Sequence, residues 1–108
     1  MPVKRNVVLF LLLFWFSACG STNPVLLQYG RHYQKHRDYA SLSKVVELLP
    51  LNSSKSLVIR YLGDPIDFGF DYRYLLDSMG VDGCVIGAVF HFNDRDAVDQ
   101  KWLDQICE

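Results

Sequence analysis

The sequence predicts an α+β domain in which a two-helix hairpin packs on a three-stranded antiparallel sheet. Three observations predict it: two stretches between Ser41 and Leu62 carry apolar residues at helical spacing, two stretches between Phe70 and Phe92 follow the two-residue period of strands, and turn residues separate them. With 108 residues, 50% of them hydrophobic, the chain is long enough for one small core and too short for two.

At the N-terminus, "MPVKRN" carries Lys4 and Arg5, and "VVLFLLLFWF" follows as an unbroken apolar run ahead of Ser17, Ala18 and Cys19. A charged start, a short apolar centre and small residues at the end are the layout of a secretory signal peptide. A membrane-spanning helix needs roughly 17 to 25 apolar residues, and this run is little more than half of that. The residues "FSAC" resemble the lipobox of bacterial lipoprotein signal peptides, with Phe16 in place of the usual Leu. That resemblance implies a diacylglycerol on the Cys19 thiol, cleavage between Ala18 and Cys19, and acylation of the new amino terminus. Several acyl chains hold where one does not, because each buried methylene contributes about 0.8 kcal/mol. Gly20 stands where, by the same resemblance, an Asp would signal inner-membrane retention, so an outer-membrane anchor facing the periplasm is expected.

"GSTNPVLLQYG" then reads as a tether, and "YGRHYQKHRDY" as a basic, aromatic link in which a weak helix would align Tyr29, Tyr33 and His36. His32 and His36 share a helix side, but no third ligand at a recognisable spacing joins them, and no metal or other cofactor is expected. The expected boundaries are a signal peptide over 1–18, a lipidated cysteine and tether over 19–40, and the folded domain over 41–108.

In that domain Leu42, Val45, Val46 and Leu49 make one apolar stripe, which predicts a helix from about Ser41 to Leu49, capped by Asp38 or Ser41 and stopped by Pro50. Leu57, Val58, Tyr61 and Leu62 make a second stripe, started by Asn52 or Ser53 and ended by Gly63 and Pro65. The short link between them predicts a sharp hairpin. Phe70, Tyr72, Tyr74 and Leu76 alternate with Asp71, Arg73, Leu75 and Asp77, a half-buried strand whose acids face solvent. "CVIGAVFHF" is apolar on both faces and reads as the central strand, with "NDRD" as the turn after it. Val98, Gln100 and Trp102 fit a third strand, although Val98, Trp102 and Ile106 fit helical spacing about equally well; a strand through Trp102 followed by an irregular end is expected.

Charge divides the chain. Removing Lys4 and Arg5 from 11 bases leaves 9 against 12 acids, a net −3 for a chain starting at Cys19, which argues against a nucleic-acid partner. Between 30 and 63 the balance is +4, and between 64 and 108 it is −7. No phosphate-binding glycine loop, paired-cysteine spacing or His-Glu zinc motif is present, and His91 near Asp94 and Asp96 makes a poor Ser/His/Asp site because the serines are explained as helix caps. The chain is therefore not expected to be an enzyme.

An exported domain with "LGDP" closing a helix, "DYRY" opening a strand and "AVFHFND" in the next is similar to the BamE/SmpA/OmlA family of small outer-membrane lipoproteins. The matching positions are Val58, Leu62, Gly63, Pro65, Tyr72, Tyr74, Phe90, Phe92, Asp94 and Val98, within a stretch from about Ser41 to Trp102. The resemblance implies a non-enzymatic, membrane-anchored module that binds an envelope protein, in outer-membrane protein assembly with the barrel-assembly complex or in envelope integrity. Its binding surface is expected around Phe70, Asp71, Tyr72 and Tyr74. An inhibitor or sensor that binds one secreted or periplasmic enzyme is the alternative, because two-helix, three-strand domains of related shape serve as enzyme inhibitors. With Cys19 lipidated, Cys84 and Cys107 remain as an even pair in an oxidising compartment, and a disulfide between them is expected.

Overall fold

A computed structural model describes residues 22–107, so Cys19, the expected signal peptide and its cleavage point lie outside the described residues. Among the described residues the architecture is α+β, with three helices followed by a four-stranded antiparallel sheet in sequential order. The sequence predicts two helices in a hairpin and three strands. The additional elements are helix α1, Pro24–His36, and a two-residue strand β1, Ile66–Asp67.

Helix α1 forms inside the segment expected as a tether and link. Asn23 caps it by accepting a hydrogen bond from the Val25 amide at 2.9 Å, Pro24 supplies a preset φ at its start, and Arg37 ends it in the left-handed region at φ 52°. Its buried residues are Leu26, Gly30 and Tyr33, spaced i, i+4, i+7. Gly30 is needed for packing: a Cβ there would lie 2.0 Å from the Tyr61 carbonyl oxygen. The helix is fastened at both ends of this contact, because the Asn23 amide donates to the Tyr61 hydroxyl at 2.8 Å and the Gln34 side-chain amide donates to the Tyr61 carbonyl at 2.9 Å.

Helix α2, Tyr39–Leu48, starts at Asp38, which accepts from the Ser41 amide at 2.9 Å, and buries Leu42 and Val45. Helix α3, Lys55–Leu62, starts at Ser54, which accepts from the Leu57 amide at 3.1 Å, and not at the expected Asn52 or Ser53, whose places are in the preceding turn; it stops at Gly63 with φ 83°. The expected hairpin of these two helices does not form. Both pack chiefly on α1, which lies between them in the packing. The connection turns over Pro50–Ser53, where the Ser53 amide donates to the Pro50 carbonyl at 3.3 Å and Asn52 takes φ 72°, and it is held to the sheet: the Asn52 amide donates to the Val98 carbonyl at 2.7 Å and the Val98 amide to the Ser53 carbonyl at 2.9 Å. The turn is thus fixed to the start of β4, and the two helices it joins meet α1 rather than each other.

Strands β2 (Asp71–Met79), β3 (Val85–Phe92) and β4 (Val98–Ile106) form the body of the sheet, with Tyr72 opposite Phe90, Tyr74 opposite Ala88 and Ala88 opposite Leu103. Strand β4 continues to Ile106, past the end at Trp102 that was expected. Alternation puts Tyr72, Tyr74, Leu76, Ala88, Phe90 and Phe92 in the core under the helices. Rings meet edge to face there, with Tyr33–Tyr74 centroids at 6.2 Å, Tyr74–Phe90 at 5.9 Å and Tyr72–Phe92 at 4.7 Å. The buried hydroxyls are used: Tyr33 donates to the Leu75 carbonyl at 2.6 Å and Tyr74 to the Gly63 carbonyl at 2.8 Å. Burial pushes the titration of both phenols up, so they remain neutral donors.

Two further links close the domain. The Lys101 ammonium, on the helix side of β4, donates to the carbonyls of Val46, Glu47 and Leu49 at the end of α2. Cys84 and Cys107, just outside the paired residues Val85 and Ile106, are joined by a disulfide with a Cα–Cα distance of 5.2 Å.

Candidate functional site: the open sheet face

Three helices cover one face of the sheet, and the register defines what stands on the other. Its rows, read across the strands, are Asp71–His91–Gln100, then Ile66–Arg73–Val89–Trp102, then Leu75–Gly87–Asp104, then Met79–Val85–Ile106. The first row is polar and the remaining three are mainly apolar. Trp102, Ile66 and Met79 are exposed, and Phe68 from the loop after β1 adds an exposed ring. Val89 is buried although no element of the described residues lies over it, because its cross-strand neighbours Arg73 and Trp102 flank it.

Local chemistry shapes a cleft in this face. The Arg73 guanidinium carbon sits 4.3 Å above the centre of the Phe68 ring, an arrangement that holds both side chains across the sheet. A Cβ on Gly87 would meet both Leu75 Cδ2 and Ile106 Cδ1 at 3.0 Å, so these two side chains close over the glycine. Ile66, Phe68, Arg73, Leu75, Val85 and Ile106 line a cavity of about 260 Å³. The disulfide lies at its end, next to Val85 and Ile106, and ties the two strands that carry them.

The residues expected to form a binding surface divide between the two faces. Tyr72 and Tyr74 are 6% and 1% exposed and belong to the core, where they cannot meet a partner. Phe70 is 60% exposed, ahead of β2 rather than in it, with its ring centre 6.3 Å from that of His91. Asp71, expected to face solvent, is buried to 6% exposure on the open-face side, with one carboxylate oxygen 3.9 Å from the Arg73 guanidinium. The larger apolar surface of Ile66, Phe68, Val85, Trp102 and Ile106 was not anticipated. Its sequence signal was the run "CVIGAVFHF", apolar on both faces, together with a Trp at the outward position of the next strand.

At the polar edge of the face, His91 Nδ1 and Asp99 Oδ1 are 2.7 Å apart. The hydrogen bond to Asp99 holds the imidazole titration above its ordinary value, with desolvation opposing and the charges of Asp99 and Asp71 adding to the rise. The hollow around this pair is lined by Phe70, His91, Phe92, Asn93, Asp94, Arg95 and Asp99, and none of these is a nucleophile of the Ser, Thr or Cys type. Elsewhere His32 Nδ1 meets both Asp38 Oδ1 at 2.9 Å and the Ser41 hydroxyl at 2.7 Å. A relay needs the acid on one ring nitrogen and the hydroxyl on the other, so this cluster belongs to the helix cap.

Among the described residues, no group of three or more His, Cys, Asp or Glu is placed to hold a metal ion, and no helix is long and apolar enough to cross a membrane. No family model, curated protein or solved structure matches the chain.

Proposed function

We propose that this chain is a non-enzymatic lipoprotein, anchored through Cys19 to the outer membrane and facing the periplasm, that docks an envelope protein on its open sheet face. Outer-membrane protein assembly or envelope integrity is the process in which such a module acts, following the resemblance to the BamE/SmpA/OmlA family in "LGDP", "DYRY" and "AVFHFND". The observation that carries the docking surface is the asymmetry of the sheet: one face lies under three helices, and the other leaves Ile66, Phe68 and Trp102 exposed around an apolar cleft. Contiguous apolar surface with aromatic members is the composition of the centre of protein interfaces. The anchor is supported by the apolar run before "FSAC" and by the even pair of cysteines left once Cys19 is lipidated.

The test uses the full chain with a C-terminal tag in its native envelope. Lipidation predicts radiolabelled palmitate on the wild type and none on Cys19→Ser, which leaves the outer-membrane fraction; a labelled, still-anchored Cys19→Ser overturns the anchor. After crosslinking, recovery of the barrel-assembly complex with the wild type, and its loss with Trp102→Asp, supports the docking role. Recovery of one soluble enzyme in its place assigns the chain to the inhibitors.

A further inference from the structure

The hydrogen bonds of the sheet decide which of its edges is left over. The Phe92 amide donates to the Phe70 carbonyl at 2.8 Å, so the backbone of Phe92 faces the β2 side, and by alternation so do Phe90, Ala88 and Ile86. His91, Val89, Gly87 and Val85 therefore face β4, and their partners Gln100, Trp102, Asp104 and Ile106 face back to β3. Lys101, Leu103 and Gln105 are left to turn their amides and carbonyls toward the outer edge of β4. Val98 faces that edge too, across the register shift beside Asp99, and its amide and carbonyl are taken by Ser53 and Asn52. Past that point, among the described residues, no backbone group bonds to Lys101, Leu103 or Gln105 on the outer side, and the Gln105 amide meets only the neighbouring Asp104 carboxylate, at 2.7 Å.

Sheet edges are ordinarily guarded by proline, by bulges or by lysines set along the edge. Between Gln100 and Ile106 the register is regular and no proline occurs, and the one lysine, Lys101, is turned onto the end of α2. Such an edge is a template for one more strand.

We infer that β4 pairs antiparallel with β4 of a second copy of this chain, about a twofold axis at Leu103. The edge itself selects that register. Its free stretch runs from Gln100 to Ile106, between the Val98 link to Asn52 and Ser53 and the disulfide at Cys107, and Leu103 is its centre. Pairing about Leu103 uses the whole stretch, sets Lys101 opposite Gln105 and, at two symmetric places, sets Trp102 opposite Asp104. No like charges then stand opposite each other, and an indole N–H faces a carboxylate, which is free to turn once the Gln105 amide finds a carbonyl of the second copy. Pairing about Asp104 would set that carboxylate against itself, and pairing about Trp102 would bring Ile106 against Val98, whose edge Asn52 and Ser53 already hold.

The twofold axis of an antiparallel strand pair stands normal to the sheet, so both helix layers lie on one side and both open faces on the other. Two copies anchored in one membrane meet in that arrangement without turning over, and confinement to a surface raises their effective concentration. The inference goes beyond the docking role, because it rests on backbone groups at a strand edge and not on the apolar face.

The experiment co-expresses the full chain with two different C-terminal tags, solubilises the envelope in mild detergent, captures one tag and measures the other. Co-capture of the parent chain is expected. Trp102→Glu places like charges opposite each other at both symmetric pairs and should reduce co-capture roughly tenfold. Adding Asp104→Lys sets Glu opposite Lys of the second copy and should restore it, an outcome that a general loss of structure does not produce. Gln105→Pro removes an outward amide that bonds nothing across the sheet, so it should reduce co-capture while the melting temperature stays near that of the parent. If Gln105→Pro lowers the melting temperature, the charge pair alone decides. No co-capture of the parent chain, co-capture insensitive to Trp102→Glu, or a folded double variant that does not restore it overturns the inference. A single copy crosslinked along β4 to another protein overturns it as well. The docking role is read separately, from recovery of another envelope protein: a monomeric chain that recovers one keeps that role, and paired copies that recover none lose it.

Discussion

Replacing Lys101 by Met tests whether one side chain holds α2 to the sheet. The last carbonyls of any helix have no partner within it, and here those of Val46, Glu47 and Leu49 all accept from one ammonium, with distances of 3.1 Å to Glu47 and 2.6 Å to Leu49. Burial pulls the Lys101 titration below its ordinary value, and the Glu47 charge offsets part of that, so desolvation is a cost that the carbonyls must exceed. A hydrogen bond to a charged group contributes about 1.5–3 kcal/mol, but three bonds from one half-buried ammonium share a single desolvation and do not add. Attraction between the ammonium and the negative end of the helix contributes about 0.3–1 kcal/mol more. Met keeps the apolar stem and removes the charge, so a loss of about 2–3 kcal/mol is expected. For a domain of this size that lowers the melting temperature by roughly 8–24 °C. The assay is paired urea and thermal unfolding followed by circular dichroism, with Lys44→Met as control: its ion pair with Glu47 is exposed at 3.4 Å and its removal should cost less than about 0.5 kcal/mol. A Lys101→Met loss no larger than that of the control would refute the assignment of Lys101 as the cap of α2.

Three other predictions concern the frame around the site. Gly30→Ala should destabilise by about 3 kcal/mol, because the added Cβ meets backbone of α3 that cannot swing aside, and urea melts of the variant read the loss directly. Reducing the disulfide, or the double variant Cys84→Ser, Cys107→Ser, should cost roughly 3 kcal/mol from the loop-closure entropy of a 23-residue separation; a mass two hydrogens lower without reductant than with it establishes the bridge, and unchanged stability on reduction refutes the estimate. Partial burial pushes the Asp38 carboxyl up, but hydrogen bonds from the Ser41 amide and hydroxyl and from His32 outweigh it and hold the group at about 2, below its ordinary 3.8. Its contribution is thus present above pH 3.8 and lost as pH falls toward 2; Asp38→Ala should cost about 1 kcal/mol at neutral pH and flatten that part of the acid unfolding curve.

The legibility of this fold in its sequence differs from element to element for physical reasons. Helices α2 and α3 were readable because their apolar residues recur at helical spacing and their ends carry Asp38 and Gly63, each with a local task that does not depend on the rest of the chain; the cap of α3 was placed one or two residues early, because Asn52, Ser53 and Ser54 all have a side-chain oxygen that can serve. Helix α1 was legible only as a weak helix aligning Tyr29, Tyr33 and His36, because its buried stripe is Leu26, Gly30 and Tyr33, and a glycine that is buried for close approach gives no hydrophobic signal. Strand β1 is two residues long, and no periodicity exists at that length. Tyr72 and Tyr74 were correctly placed on one side of a strand, yet alternation alone does not say which side the helices cover. Phe70 continues the same alternation in sequence but falls outside the strand, which begins at Asp71 after Gly69 turns the chain at φ 83°. The open face depends on the pairing of four strands, a long-range arrangement carried by no single stretch.

The position of α1 between its two fellow helices also governs the order in which the protein can be completed. Of the described helices α1 comes first, and its fastenings come from α3 and β2. The Asn23 amide waits for the hydroxyl of Tyr61, 38 residues later, and the Tyr33 hydroxyl waits for the carbonyl of Leu75, 42 residues later. A chain made or exported from its N-terminus holds α1 without these partners until α3 and the first half of β2 have followed. In a nascent chain, burial of Tyr33 against Tyr74 therefore reports the arrival of β2, whereas the bonds from Lys101 to the end of α2 wait for β4.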